Sequence, residues 1–261
     1  MKRRAVGIVI VALVVPVLAG LGFMAWQAAP HAYLAANAGA LLIALVLAAV
    51  LPMPRSERSA ALLVAALLAT LWATTLFGME LDGVKRWFGA GPASMHAGYL
   101  VLPLFAVLVF KLRSAWSAGV VALAAIATAV QPDAATATGV AILAIVIAIR
   151  RCDTPSVGGM VVALACCAAA LTRGVSLAPV RFVEFVPQQA WSAAPIAGLA
   201  LIFGQLGAIG AIASRGRTAT GLTAFLLGCT AVSWLAPYPS LLIGYGAAAI
   251  LGLSLALAAL R

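Results

Sequence analysis

"MKRRAVGIVIVALVVPVLAGLGFMAW", residues 1–26, decides the fold class. After a basic start it runs apolar for about 20 residues, the length a helix needs to cross a bilayer. A basic start followed by an apolar stretch also fits a secretory signal peptide, and "QAAPHA" (27–32) just after it would suit cleavage. The full-span length favours an uncleaved first helix.

The same texture continues along all 261 residues, which are 65% hydrophobic and only 8% charged, with a mean hydropathy of +1.16. Apolar runs this long exceed what the core of a water-soluble protein needs. They lack the strict alternation of barrel strands, so the backbone must satisfy itself as helices. The chain therefore reads as an all-α, polytopic membrane helical bundle. Ten transmembrane helices are expected, at about 5–26, 34–52, 60–79, 96–112, 115–131, 135–150, 156–172, 191–213, 219–236 and 240–260. Connections are short, with no low-complexity linker or internal repeat, so residues 1–261 read as one transmembrane domain.

A net charge of +10 could point to nucleic acid, but the basic residues fall in small clusters between apolar runs rather than in one stripe. Membrane topology accounts for them instead, and no nucleic-acid partner is expected. With the N-terminus inside, Lys2, Arg3, Arg4, Arg55, Arg58, Lys111, Arg113, Arg150, Arg151, Arg215, Arg217 and Arg261 are cytoplasmic, 12 of the 16 basic residues. Lys85, Arg86, Arg173 and Arg181 are left outside. This bias places both termini in the cytoplasm. The four cysteines form no C-x-x-C pair and read as small packing residues, not as a disulfide framework or a zinc site.

The six acids sort as well. Glu57 and Asp153 lie beside arginines in cytoplasmic loops, whereas Glu80, Asp82, Asp133 and Glu184 fall on the external side. None is expected at mid-membrane, where an ionisable residue would mark an ion path. That absence, with no paired broken helices, disfavours a small-solute or lipid transporter.

Three external stretches carry the candidate chemistry. "MELDGVKRWFGAGPASMH" (79–96) gathers Glu80, Asp82, Lys85, Arg86, Trp87 and His96 among Gly83, Gly89 and Gly91. Its basic pair suits a phosphate or pyrophosphate, and Trp87 suits either stacking on a sugar or anchoring at the interface. "VQPDAATATG" (130–139) places Asp133 after Pro132, where it either caps a helix or serves chemistry. "RGVSLAPVRFVEFVPQQAW" (173–191) holds Glu184, a general base if its carboxyl is shielded from water, or else a salt-bridge partner of Arg181. Asn37, Thr70, Thr74, Thr75 and Gln205 fit interhelical hydrogen bonding.

Several of these stretches, in this order, resemble the SEDS family (FtsW/RodA/SpoVE) of cell-wall glycosyltransferases. "DGVKRWFGAGP" is similar to that family's Gly-x-x-Arg-Trp loop, through Gly83, Arg86 and Trp87. "QPDAATA" is similar to its Gln-Pro-Asp-x-Gly-Thr stretch, through Gln131, Pro132, Asp133 and Thr136. "FGQLGAIG" resembles its Glu-Glu-Leu-Gly-x-x-Gly helix end, keeping Leu206, Gly207 and Gly210 with Gln205 in place of an acid. "PYPSLLIGYGAAA" resembles its Pro-Phe-x-Ser-Tyr-Gly-Gly-Ser segment through Pro239, Tyr245 and Gly246. Ten helices with both ends inside is also the family's topology.

The resemblance implies a multi-pass protein of the bacterial inner membrane that polymerises an undecaprenyl-pyrophosphate-linked saccharide of lipid II type at the external leaflet, in cell-wall synthesis, shape or division. It implies a single-span class B penicillin-binding-protein-type transpeptidase as partner. Substrate binding then falls to Lys85, Arg86, Trp87, His96, Gln131, Arg173 and Arg181. A divalent cation at the pyrophosphate is the one cofactor this chemistry would admit, and no metal-ligand set is assigned. The family's helix-four Glu and Lys are missing from "MHAGYLVLP", and its expected catalytic Asp is missing from "QQAWSAAPIAG". Glu184 is then the first candidate for the catalytic base and Asp133 the second. The alternative is a non-catalytic scaffold that binds the lipid-linked precursor or a membrane partner.

Overall fold

The computed structural model describes residues 7–89, 94–112, 116–173 and 177–261. Lys2, Arg3, Arg4, Gly91 and Arg113, named above, lie outside the described residues.

Among those residues the apolar segments form helices α1 (Gly7–Trp26), α2 (His31–Val50) and α3 (Glu57–Phe77), then α4 (Ala97–Lys111), α5 (Trp116–Val130), α6 (Ala134–Arg151) and α7 (Thr154–Arg173). A short α8 (Val186–Ala193) is followed by α9 (Pro195–Ala213), α10 (Thr220–Leu235) and α11 (Ala247–Ala259). Six of them, α1, α2, α3, α6, α7 and α9, are long and apolar enough to cross a membrane. The apolar helices α4, α5, α10 and α11 are shorter. The chain is a multi-pass, helical membrane protein.

Local chemistry sets the helix starts. Ser56 and Ser59 cap α3 reciprocally, with Glu57 in the first turn. Asp133 caps α6 by accepting from Thr136 N, and Asp153 Oδ1 accepts from Ser156 N at 2.7 Å at the start of α7. Of the four free cysteines, Cys167 and Cys229 are buried within α7 and α10, whereas Cys152 is exposed at the C-cap of α6 in a left-handed conformation.

Helix α4 is apolar all round and 13 of its 15 residues are buried, so it forms the centre of the bundle. Its neighbours approach closely through glycine. A Cβ on Gly252 of α11 would lie 2.1 Å from the Tyr99 carbonyl oxygen of α4. Gly228 of α10 faces Gly139 of α6, where a Cβ would meet backbone at 2.8 Å. Close backbone contact of this kind is what holds helices together where lipid removes the hydrophobic drive.

Three expectations need correction. In the stretch expected as a loop over 79–96, the described residues form a three-stranded antiparallel sheet, β1 (Met79–Leu81), β2 (Val84–Phe88) and β3 (Met95–His96), with Glu80 opposite Lys85 and Trp87 opposite His96. Asp82 and Gly83, both at positive φ, make the two-residue turn. The helix expected over 191–213 is broken at Ala194, whose extended backbone precedes Pro195. The last helix begins at Ala247, not at 240, because residues 236–246 are held as a loop.

That loop is pinned from three sides. Asn37 Nδ2 donates to Gly244 O at 2.9 Å while Gly246 N donates to Asn37 Oδ1 at 3.0 Å. Gln205 Nε2 donates to Leu241 O, and its oxygen accepts from Trp234 Nε1. Ser240 N and Tyr245 N donate to the carbonyls of Val183 and Phe182. Each buried amide thus holds an irregular backbone that hydrocarbon could not solvate.

Candidate functional site

The sheet and the pinned loop meet at the end of the bundle where α4 and α6 begin. Strand β2 alternates in burial, so Lys85 points outward and Arg86 inward. Arg86 is only 2% exposed. Its Nε donates to Gln131 O at 3.0 Å, a terminal nitrogen donates to Pro132 O, and the guanidinium lies 5.1 Å over the Tyr238 ring. Tyr238 OH donates to Pro132 O and accepts from Ala134 N. Gln131 Nε2 donates to Thr75 Oγ1 and Leu71 O. The Gln131–Pro132–Asp133 turn is therefore fixed from several sides, and it presents the Asp133 side chain to α4.

There Asp133, fully buried, meets His96. Asp133 Oδ2 and His96 Nε2 stand 3.3 Å apart without hydrogen-bond alignment. His96 Nδ1 accepts from Tyr99 N at 3.3 Å, which assigns the proton of the neutral ring to Nε2, facing the carboxylate. Burial pushes the His96 pKa down to about 4; the nearby Asp133 pulls the other way and the Arg86 guanidinium adds to the depression. The imidazole is thus neutral at physiological pH. Its ring stacks on Tyr99 and meets the edge of Trp87.

Glu184 comes to the same place from the other side. It sits between Phe182 and Phe185, both at positive φ, and forms an isolated antiparallel bridge with Pro239 of the pinned loop. Its Oε2 accepts from Val180 N at 2.6 Å, and its carbonyl accepts from Gln189 Nε2. Burial raises the carboxyl pKa above the usual range, opposed by its backbone hydrogen bonds and by the charge of Arg86. No Glu184–Arg181 ion pair forms among the described residues, so the salt-bridge expectation is overturned. Arg181 instead donates to Gln27 Oε1 and lies over the Phe182 ring.

A cavity of about 330 Å³ joins these groups. Trp87, His96, Tyr99 and Glu184 line it, opposite the stacked rings of Tyr33 and Tyr245, whose centroids are 3.9 Å apart. Asp133 lies behind His96. Of the basic residues expected to meet a headgroup, none lines this cavity. Arg86 is buried behind it, Lys85 pairs with Glu80 at 3.6 Å, and Arg173 donates to Ala129 O. Among the described residues no group of three His, Cys, Asp or Glu side chains could hold a metal ion.

Reading the sequence alone missed Tyr33 and Tyr238. Tyr238 lies inside a quoted stretch, but its part in holding the Gln131–Asp133 turn has no local signal. Tyr33 meets Tyr245 only through tertiary structure.

Fold and site together define a helical, multi-pass membrane protein with a partly shielded carboxylate and a neutral histidine in one cavity at one end of the bundle. The fold is that of the Thermus thermophilus rod-shape-determining protein RodA. A mutant of that protein is similar at a TM-score of 0.70 and 18% identity, over 98% of this chain and 96% of that one. Its unsubstituted form is similar at 0.64 and 19% identity over the same shares. A chain from a structure on the coordination of polymerization and crosslinking by a peptidoglycan synthase complex is similar at 0.59 and 20% identity, over 98% of this chain and 97% of that one. No family model matches the sequence, and no curated protein does.

Proposed function

We propose that this chain is a SEDS-like peptidoglycan glycosyltransferase of the bacterial inner membrane, with one transmembrane domain and both termini cytoplasmic. It would act on an undecaprenyl-pyrophosphate-linked saccharide at the external leaflet, beside a class B penicillin-binding-protein-type transpeptidase. One observation carries this reading: in a RodA fold whose sequence lacks the family's expected catalytic aspartate, Glu184 places a carboxylate of raised pKa in the cavity at the sheet-bearing end.

In this reading Glu184 removes the proton from an acceptor sugar hydroxyl. The hydroxyl oxygen bonds to the anomeric carbon of the lipid-linked donor as the bond from that carbon to the pyrophosphate breaks, and undecaprenyl pyrophosphate leaves. A carboxylate of raised pKa is the stronger base and holds the proton better once it has taken it. Neutral His96 adds no charge that would hold the Glu184 carboxylate down, and its ring with Trp87, Tyr33 and Tyr245 offers flat walls for a sugar. Arg86 and Gln131 position Asp133 and His96 instead of meeting substrate. Lys85, Arg173 and Arg181, at the same end, would meet the pyrophosphate outside the cavity.

Among the described residues no lysine or arginine lines the cavity, which favours a second reading, a scaffold that binds the lipid-linked precursor without turnover. Purified protein in liposomes with fluorescent lipid-linked disaccharide-peptide, with and without the transpeptidase, separates the two. Polymer is expected. Saturable binding of the lipid with no polymer under either condition would assign the chain to the scaffold class.

A further inference from the structure

The far end of the bundle holds a cavity that the proposed reaction does not use. It measures about 400 Å³ and lies where α4 and α6 end, before α10 begins, and its lining includes Lys111, Arg150, Arg151, Arg217 and Asp153. Four cations thus surround one acid, and that acid is already engaged, since Asp153 Oδ1 accepts from Ser156 N. Two of the cations are fixed by the protein. Lys111 Nζ donates to Ala259 O at 2.5 Å, and Arg151 donates to Leu112 O and Ser117 Oγ. Arg150 lies 4.6 Å over the Phe110 ring and forms no ion pair with a carboxylate among the described residues. Arg217, exposed on the turn before α10, makes no hydrogen bond or ion pair among them.

Gathering four like charges around one concavity raises their mutual repulsion, which an anion in the cavity would relieve. Planar guanidinium groups match phosphate oxygens in particular. The helix ends put the cavity at the level of the lipid headgroups, and it is roomy enough for a phosphoglycerol group. We propose that this cavity binds the phosphate of an anionic phospholipid from the leaflet on its side. Each cation near an anionic headgroup contributes about fivefold in affinity.

The test is native mass spectrometry of protein equilibrated with vesicles of equal phosphatidylglycerol and phosphatidylcholine. Wild-type protein is expected to retain phosphatidylglycerol selectively, and the R150Q/R217Q variant to retain it roughly 25-fold less. R55Q/R58Q, which removes two cations from the same end but outside the cavity, is expected to behave as wild type. Equal retention by R150Q/R217Q and wild type would overturn the site. An equal loss in R55Q/R58Q would reduce it to diffuse surface charge. Release of the lipid by millimolar inorganic phosphate would assign the cavity to free phosphate and overturn the lipid as its source.

Discussion

The two ends of this bundle use their polar residues in opposite ways. At the end carrying Lys111, Arg151, Arg215 and Arg261, cations reach to the last carbonyls of helices: Ala259 and Leu260 at the end of α11, Leu112 after α4, and Ala49 and Leu51 at the end of α2. These side chains satisfy orphan acceptors and complement the helix dipoles at partly solvated sites. At the end carrying the sheet, Arg86, His96, Gln131 and Asp133 are buried, and each is tied to at least one of the others or to the same turn. The difference teaches where basic residues are topology and where they are architecture. Charge counting sees both ends as clusters; only burial separates a cap from a keystone.

The contrast makes graded predictions. Replacing Arg86 with Met strands the carbonyl of Gln131 in the interior, at about 1–3 kcal/mol, and takes from the Pro132 carbonyl a charge-assisted hydrogen bond worth about 1.5–3 kcal/mol, leaving it the Tyr238 hydroxyl; thermal unfolding in detergent is expected to register a loss of roughly 4 kcal/mol in all. Acidification comes next. The unfolded chain protonates His96 near its ordinary pKa of 6.5, and the folded chain only near 4. Stability therefore falls as pH drops through that window, by roughly 3 kcal/mol at full extent. A His96→Gln variant is expected to lose correspondingly less between the same pH limits. Asn37→Leu, which removes both hydrogen bonds to the pinned loop, should cost about 2 kcal/mol in the same measurement. At the opposite end Arg261→Gln should cost less than about 1 kcal/mol, and that cost should shrink as salt is added. An Arg261 effect as large as that of Arg86 would erase the distinction between the ends.

Much of this was legible from the residues. Apolar runs separated by charged and turn residues located the helical segments in order, since bilayer thickness is a one-dimensional constraint that a sequence carries openly. Asp133 as a helix cap was also readable locally, whereas for Glu184 the residues alone left open a shielded base or an ion pair with Arg181. The hairpin was readable in principle: "LDGV" (81–84) holds Asp-Gly, the strongest two-residue turn signal, but its strands are too short to show alternation. What could not be read was which side chains face inward from a short strand, so Arg86 looked like half of an exposed basic pair. The loop at 236–246 was hidden for a related reason. Its residues are as apolar as a helix start, and only Asn37, Gln205 and the Phe182–Val183 backbone, all distant in sequence, hold it open.

The central claim is that Glu184 supplies the base in a RodA fold. The measurement that tests it most directly is the initial rate of glycan polymerisation by liposome-reconstituted wild-type and Glu184→Gln proteins across pH. The account predicts a loss of at least about a hundredfold in the variant. It also predicts that the wild-type rate falls on acidification at a pH above 4.5, the ordinary glutamate value that burial has raised. Polymerisation by Glu184→Gln at the wild-type rate, with the same pH profile, would contradict it.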